Sequence, residues 1–279
     1  MFRLKLSNVA SKINHYLVDH PCDDVVYHRS HVWKSSGFTK RIGALVASAA
    51  ALSVLASSCF LYSVENKRNA KLRVKNKQQL SACKRESAYY FGVFAVSTIG
   101  VTCLWRLAIV RHDVDLYYKM ARHFSSNPTS SVSSIVLAPM AHQSVKHLFN
   151  NTIGLATSGY LCICAGLTPF EIAAVFEAAA ASGVVATYTE QIVFRPNTNP
   201  WLSLGASGGV YGVASVAAVS KLCSVAHPVN IFDVCFWPGL IGYQLWKTFS
   251  ERSSSIGYSA HSAGIVVGGL LGLFYAFTK

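Results

Sequence analysis

The chain has 279 residues, 52% of them hydrophobic and only 13% charged, with a mean hydropathy of +0.34. Soluble domains carry about 25% charged residues, so a soluble globular protein is excluded, and the apolar content excludes a disordered chain. The net charge of +13 would point to nucleic acid in a soluble protein. Here, however, the basic residues cluster outside the apolar blocks, above all in the run Lys67 to Lys77, without a nucleic-acid motif. Such a run reads as a loop between membrane helices that is attracted to anionic lipid. The expected class is an all-α polytopic membrane protein.

Residues 1–18 contain Arg3, Lys5 and Lys12 but no acid and no apolar core. That pattern is unlike a secretory signal and is similar to a mitochondrial transit segment. A membrane helix needs about 20 apolar residues. Ile42 to Val64 supplies a first span, bracketed by Lys40, Arg41 and Glu65, and Ser87 to Val110 a second. Residues 111–141 are amphipathic and too charged to span. His142 to Leu167 is the third span, and Pro169 opens the fourth, to Thr187, at a first helical turn where Pro is tolerated. Ser203 to Leu222 is the fifth, Asn230 to Trp246 the sixth (with Asp233 and Pro238 inside), and Tyr258 to Phe277 the seventh. One helix, a basic loop and six more helices give a 1+6 arrangement. The expected divisions are a basic segment 1–41, an extra helix with its loop 42–86, and a six-helix domain 87–279. Cys162 and Cys164 lie two apart on a helix, so their side chains diverge and neither a disulfide nor a metal role follows.

Polar groups inside apolar helices are costly and tend to be functional. Three groupings qualify: Gly205-Ala206-Ser207-Gly208-Gly209 in the fifth span, His261 in the seventh, and His147 with Asn151 on one face of the third. Alternating spans make the third, fifth and seventh parallel. Counting about 1.5 Å per residue, Ser207, His261, His147 and Asn151 all fall within about 15 Å of one membrane face. A Ser and a His at matched depth form the minimal nucleophile–base pair for acyl transfer. Asn151 and His147 offer donors for a developing oxyanion. Gly264, Gly268 and Gly272 recur every four residues in the seventh helix, and Gly205, Gly208, Gly209 and Gly212 line the fifth. Such faces let backbones approach closely in lipid.

Gly-Ala-Ser-Gly, a later His-x-x-Gly and the upstream His142-x4-His147-x3-Asn151 together resemble a rhomboid intramembrane serine protease. The resemblance implies Ser207 as nucleophile, His261 as general base, Asn151 and His147 as oxyanion residues and Tyr211 packed against the base. Gly205, Gly208, Gly264 and His142 would support them. The 1+6 layout, with Cys103-Leu104-Trp105-Arg106, Phe124-Ser125-Ser126-Asn127-Pro128 and Leu204-Gly205-Ala206-Ser207-Gly208, resembles more narrowly the mitochondrial presenilin-associated rhomboid-like subfamily. That implies the mitochondrial inner membrane, the alternative being the secretory pathway. It also implies single-span membrane proteins as substrates, lipid as a partner, and no cofactor or metal. One departure is Ser262, where an apolar residue usually follows the His.

Other intramembrane proteases do not fit. The zinc type needs His-Glu-x-x-His, which is missing; His142 and His147, five apart, stand about 140° apart around a helix. The aspartyl type needs two intramembrane Asp residues, and only Asp233 qualifies. A catalytically silent rhomboid-like protein that binds transmembrane helices would keep the fold and lose Ser207 or His261. A solute transporter would need polar residues scattered through several helices.

Overall fold

The computed structural model describes residues 36–71, 94, 96–108, 110–111, 113–125, 131–142, 144–190, 205–223, 239, 242–244, 246–247, 250 and 257–278. Among them every regular element is helical. We label the helices α1 (Ser36–Lys71), α2 (Val96–Ala108), α3 (Val114–Phe124), α4 (Ser134–Leu137), α5 (Val145–Cys164), α6 (Pro169–Thr189), α7 (Ser207–Leu222) and α8 (Tyr258–Thr278).

Three described helices are long and apolar enough to cross a membrane: Ala47–Val64 within α1, then α6 and α8. They match the first, fourth and seventh expected spans. The third and fifth appear as helices α5 and α7, and the second as α2. The sixth falls mostly outside the described residues, as does the basic segment 1–18.

Several boundaries differ from expectation: α1 starts at Ser36, before Ile42, and α5 starts at Val145, which leaves His142 outside the helix. α1 continues through Lys67 to Lys71, so the basic run starts as helix rather than loop. Lys, Arg and Ala are strong helix formers, so residues 67–71 continue the ladder that the apolar stretch has nucleated. α7 begins at Ser207, not at Ser203, because Gly205 takes a φ of +114°. That left-handed conformation suits glycine and ends any helical path from upstream.

α6 is the central helix. Pro169 stands at its first turn, and Thr168 and Glu171 form a reciprocal capping box, so an otherwise costly buried carboxylate is bonded to backbone. Its alanines 174, 178, 179, 180 and 181 are all buried. An all-round apolar helix is what a core position requires. α1 packs on α6: Ser53 Oγ donates to Ala178 O at 3.0 Å and lies 2.7 Å from Ser182 Oγ, while Ser63 Oγ donates to Glu171 Oε1 at 3.1 Å. Interhelical polar bonds of this kind are worth about 0.6 kcal/mol each in membranes. The amphipathic stretch forms α3, capped by Asp113, whose side chain accepts from Leu116 N at 2.9 Å. Met120 and Ala121 of α3 bury with Trp105 of α2 and Ala141.

α7 and α8 make the closest contact. A Cβ on Gly264 would overlap Gly208 O, one on Gly268 would overlap Gly212 O, and one on Gly272 would come within 3.1 Å of Val216 Cα. The four-residue glycine repeat thus lies directly on the Gly208–Gly212–Val216 stripe, as the spacing predicts. Overpacking a filled contact costs about 1–3 kcal/mol. Gly268→Val is therefore expected to lower the unfolding midpoint in detergent, whereas Gly269→Val, whose added Cβ meets nothing within 4 Å, should leave it in place.

Candidate active site

The site forms where the N-terminal ends of α5, α7 and α8 converge. Ser207 is the first residue of α7 and is half-buried. The intrahelical ladder opens with Val210 N donating to Ala206 O at 2.9 Å. The N–H groups of Ser207, Gly208 and Gly209 therefore have no partner within their own helix, and the helix dipole makes that end electropositive.

His261, in the first turn of α8, is 8% exposed. Its Nε2 lies 2.8 Å from Ser207 Oγ, a hydrogen bond between residues 54 apart in sequence. The imidazole packs against Tyr211 at 4.6 Å between ring centroids, and Tyr258 meets it edge-on at 6.0 Å. Gly208 carries the α8 contact one residue beyond Ser207, and Gly264 receives it three residues beyond His261.

The upstream histidines and Asn151 form a second group beside the first. Ser144 caps α5 by accepting from His147 N at 3.1 Å. Asn151 is buried, and its Nδ2 donates to His142 Nε2 at 2.9 Å. The His142 ring is fully buried and meets His147 edge-on at 5.1 Å between centroids. Gly205 presses against this group. Its backbone N donates to Ala138 O at 3.2 Å, and a Cβ there would come within 2.7 Å of His147 Cε1, 3.1 Å of His147 Nε2 and 3.5 Å of Asn151 Nδ2. Only a glycine brings the chain that close, and it delivers Ser207 two residues later. The structure thus gathers Ser207, His261, Tyr211, Gly208 and Gly264 in one group, and His142, His147, Asn151 and Gly205 in the adjoining one.

One further residue joins the site that sequence reasoning did not single out. Gln244 Oε1 lies 3.1 Å from His261 Nδ1, and Gln244 Nε2 donates to the Tyr211 hydroxyl at 2.7 Å. Its only sequence signal is an uncharged polar residue within the sixth expected span. Cys162 and Cys164 diverge: Cys162 is buried, with its thiol 3.6 Å from Val213 O, and Cys164 is exposed. Among the described residues, no group of three or more His, Cys, Asp or Glu could hold a metal ion.

The arrangement offers a hydroxyl bonded to an imidazole, next to amide, imidazole and main-chain donors. Neither the curated proteins nor the solved structures yielded a match, but the rhomboid domain family matches residues 129–277. That match covers more than half of the chain and includes Ser207, His261, His147, Asn151 and Gln244, so the chain belongs to the rhomboid family, most of whose members are intramembrane serine proteases.

Proposed function

We propose that the protein is an active intramembrane serine endopeptidase that cuts transmembrane segments of single-span proteins. The observation that carries the reading is the 2.8 Å bond between Ser207 Oγ and His261 Nε2. Ser158 and Ser182, inside their helices, bond their own i−4 carbonyls, a partner that the first residue of a helix does not have. Ser207 is instead turned towards a histidine on another helix.

In the proposed reaction, Ser207 Oγ attacks the scissile carbonyl carbon as His261 Nε2 takes the hydroxyl proton. The tetrahedral oxyanion is held by Asn151 Nδ2, the His147 ring and the main-chain N–H at the start of α7. Lipid offers such an anion no solvation, so the protein must supply donors. His261 then passes its proton to the leaving nitrogen, the C–N bond breaks, and an ester to Ser207 remains. Water, deprotonated by His261, attacks that ester and releases the acid as Oγ regains its proton.

The finer assignments belong to the same proposal: a 1+6 layout, the presenilin-associated rhomboid-like subfamily and the mitochondrial inner membrane. They are supported by the basic, acid-free residues 1–18 and by α1, a helix that precedes the family match and packs on α6.

Three outcomes test these claims. Ser207→Ala should abolish both labelling by a fluorophosphonate and cleavage of a tagged single-span protein, and His261→Ala should slow both by about 10⁴-fold or more. Undiminished labelling in His261→Ala would contradict the pairing, and a wild type that neither labels nor cleaves would move the chain to the catalytically silent reading. Asn151→Ala should lower kcat by about 10²–10³ while KM barely moves, with a stability loss of about 1–3 kcal/mol from the His142 Nε2 left unpaired; wild-type kcat in a folded Asn151→Ala protein would remove the oxyanion role. A fluorescent reporter fused to residues 1–86 should light mitochondria, and secretory-pathway fluorescence would overturn the location.

A further inference from the structure

Gln244 is 7% exposed and stands in the helical residues 242–244 that precede α8. It meets His261 on the ring nitrogen opposite the one that faces Ser207. A glutamine side chain has one oxygen, which only accepts, and one NH2, which only donates. With Nε2 donating to the Tyr211 hydroxyl at 2.7 Å, the atom left facing His261 Nδ1, at 3.1 Å, is the accepting oxygen. The Nδ1 atom must then carry the proton. A neutral imidazole has a single N–H, so Nε2 keeps its lone pair and points it at Ser207 Oγ, 2.8 Å away. That is the tautomer a general base needs.

We propose that Gln244 is a positioning residue that holds His261 in the Nδ1–H tautomer. Ser207, His261 and Gln244 then act as a triad with a neutral third member. The inference rests on the Ser207–His261 reading above. A neutral amide suits the place: a carboxylate buried among apolar helices would carry a desolvation penalty, whereas an amide orients the ring without adding charge. Tyr211 completes the clamp by touching the imidazole with its ring face at 4.6 Å and gripping Gln244 through its hydroxyl. One side chain thereby fixes both the plane of the base and the rotation of the amide that orients it.

Rotating the amide by half a turn would reverse the wiring over the same heavy-atom positions. Gln244 Nε2 would then donate to Nδ1, and the proton would sit on His261 Nε2, where it blocks abstraction from Ser207. The two arrangements differ in one observable, the ring nitrogen that bears hydrogen.

The test uses the full chain, labelled with 15N-histidine, in phosphatidylcholine vesicles. Magic-angle-spinning spectra, with His261 signals assigned by difference against His261→Ala, should show a protonated Nδ1 and an unprotonated Nε2 in the wild type. A protonated Nε2 overturns the proposal. In parallel, fluorophosphonate labelling of Ser207 should slow by about 10- to 100-fold in Gln244→Leu, less than the ~10⁴ seen where the orienting group is a charged carboxylate. Gln244→Glu, which keeps an oxygen at the same place, should recover most of the rate. Labelling of a folded Gln244→Leu protein at the wild-type rate also overturns the proposal. Should the Leu variant not fold, the tautomer in the wild type decides. A wild type that does not label sinks the protease reading, while the spectra still decide the Gln244–His261 pairing.

Discussion

The pairing of Ser207 with His261 depends on the main-chain contact between α7 and α8. Lipid tails are as apolar as leucine, so no hydrophobic force drives these helices together; close packing must do it. Gly264 on Gly208 and Gly268 on Gly212 bring the two backbones within reach of each other's carbonyls. The same contact sets the register. Its repeat is four residues on both helices, so a slip by one residue would turn the stripe by about 100° and bring Ile265 in place of Gly264, or Val213 in place of Gly212, into the contact. Ser207, adjacent to Gly208, and His261, one turn before Gly264, are thereby fixed in rotation and in depth. The approach of Ser207 to His261, a hydrogen bond of 2.8 Å between residues 54 apart, is then a consequence of packing.

The neighbouring donors are fixed in a different way, by polar groups that satisfy one another. An unsatisfied polar group in an apolar interior is expensive, so each partner limits the others' freedom. His142 takes a hydrogen bond from Asn151, the His142 and His147 rings meet edge-on, and Ser144 caps the helix that carries both His147 and Asn151. Gly205, held to Ala138 O, closes against this set. The left-handed turn at Gly205 also starts α7 at Ser207, and so leaves the first three N–H groups of that helix at the site. Donors placed before reaction need no reorganisation when charge develops.

What was legible in the sequence follows from these two kinds of constraint. Close packing leaves a periodic mark: glycine every four residues on two helices announced the α7–α8 contact and, with it, the meeting of Ser207 and His261. Asn151 and His147 were legible because four residues apart means one helical face. Boundaries were less so. The charges around α1 suggested ends that the helix overruns, since Lys and Arg are themselves helix formers, and the late start of α7 depends on one backbone angle that Gly205 permits but does not announce. Gln244 left almost no mark. It is a single uncharged residue, 17 positions from His261 and 33 from Tyr211, and its role exists only through the geometry of both. A carboxylate in that place would have stood out among apolar residues; an amide does not.

The position of α1 bears on how a helix outside the family match can matter to the site. Its bonds are to α6, at Ala178, Ser182 and Glu171, and it also touches α8. α6 in turn is the wall against which α7 packs: Phe176 blocks any side chain at Gly209, and the Ala179 methyl fills the space over Gly212. Farther along α6, Gly183 lies against Ala260 of α8, so that a Cβ there would approach within 3.1 Å of that methyl. Ala260 immediately precedes His261. α1 thus borders α6 at Ala178 and Ser182, and α6 borders Ala260 at Gly183, so a single helix stands between α1 and the residue that precedes the base. Small residues on α6 do for the lateral position of α7 and α8 what the glycine stripe does for their register. Together they place the base from two directions, one along the helix axis and one across it.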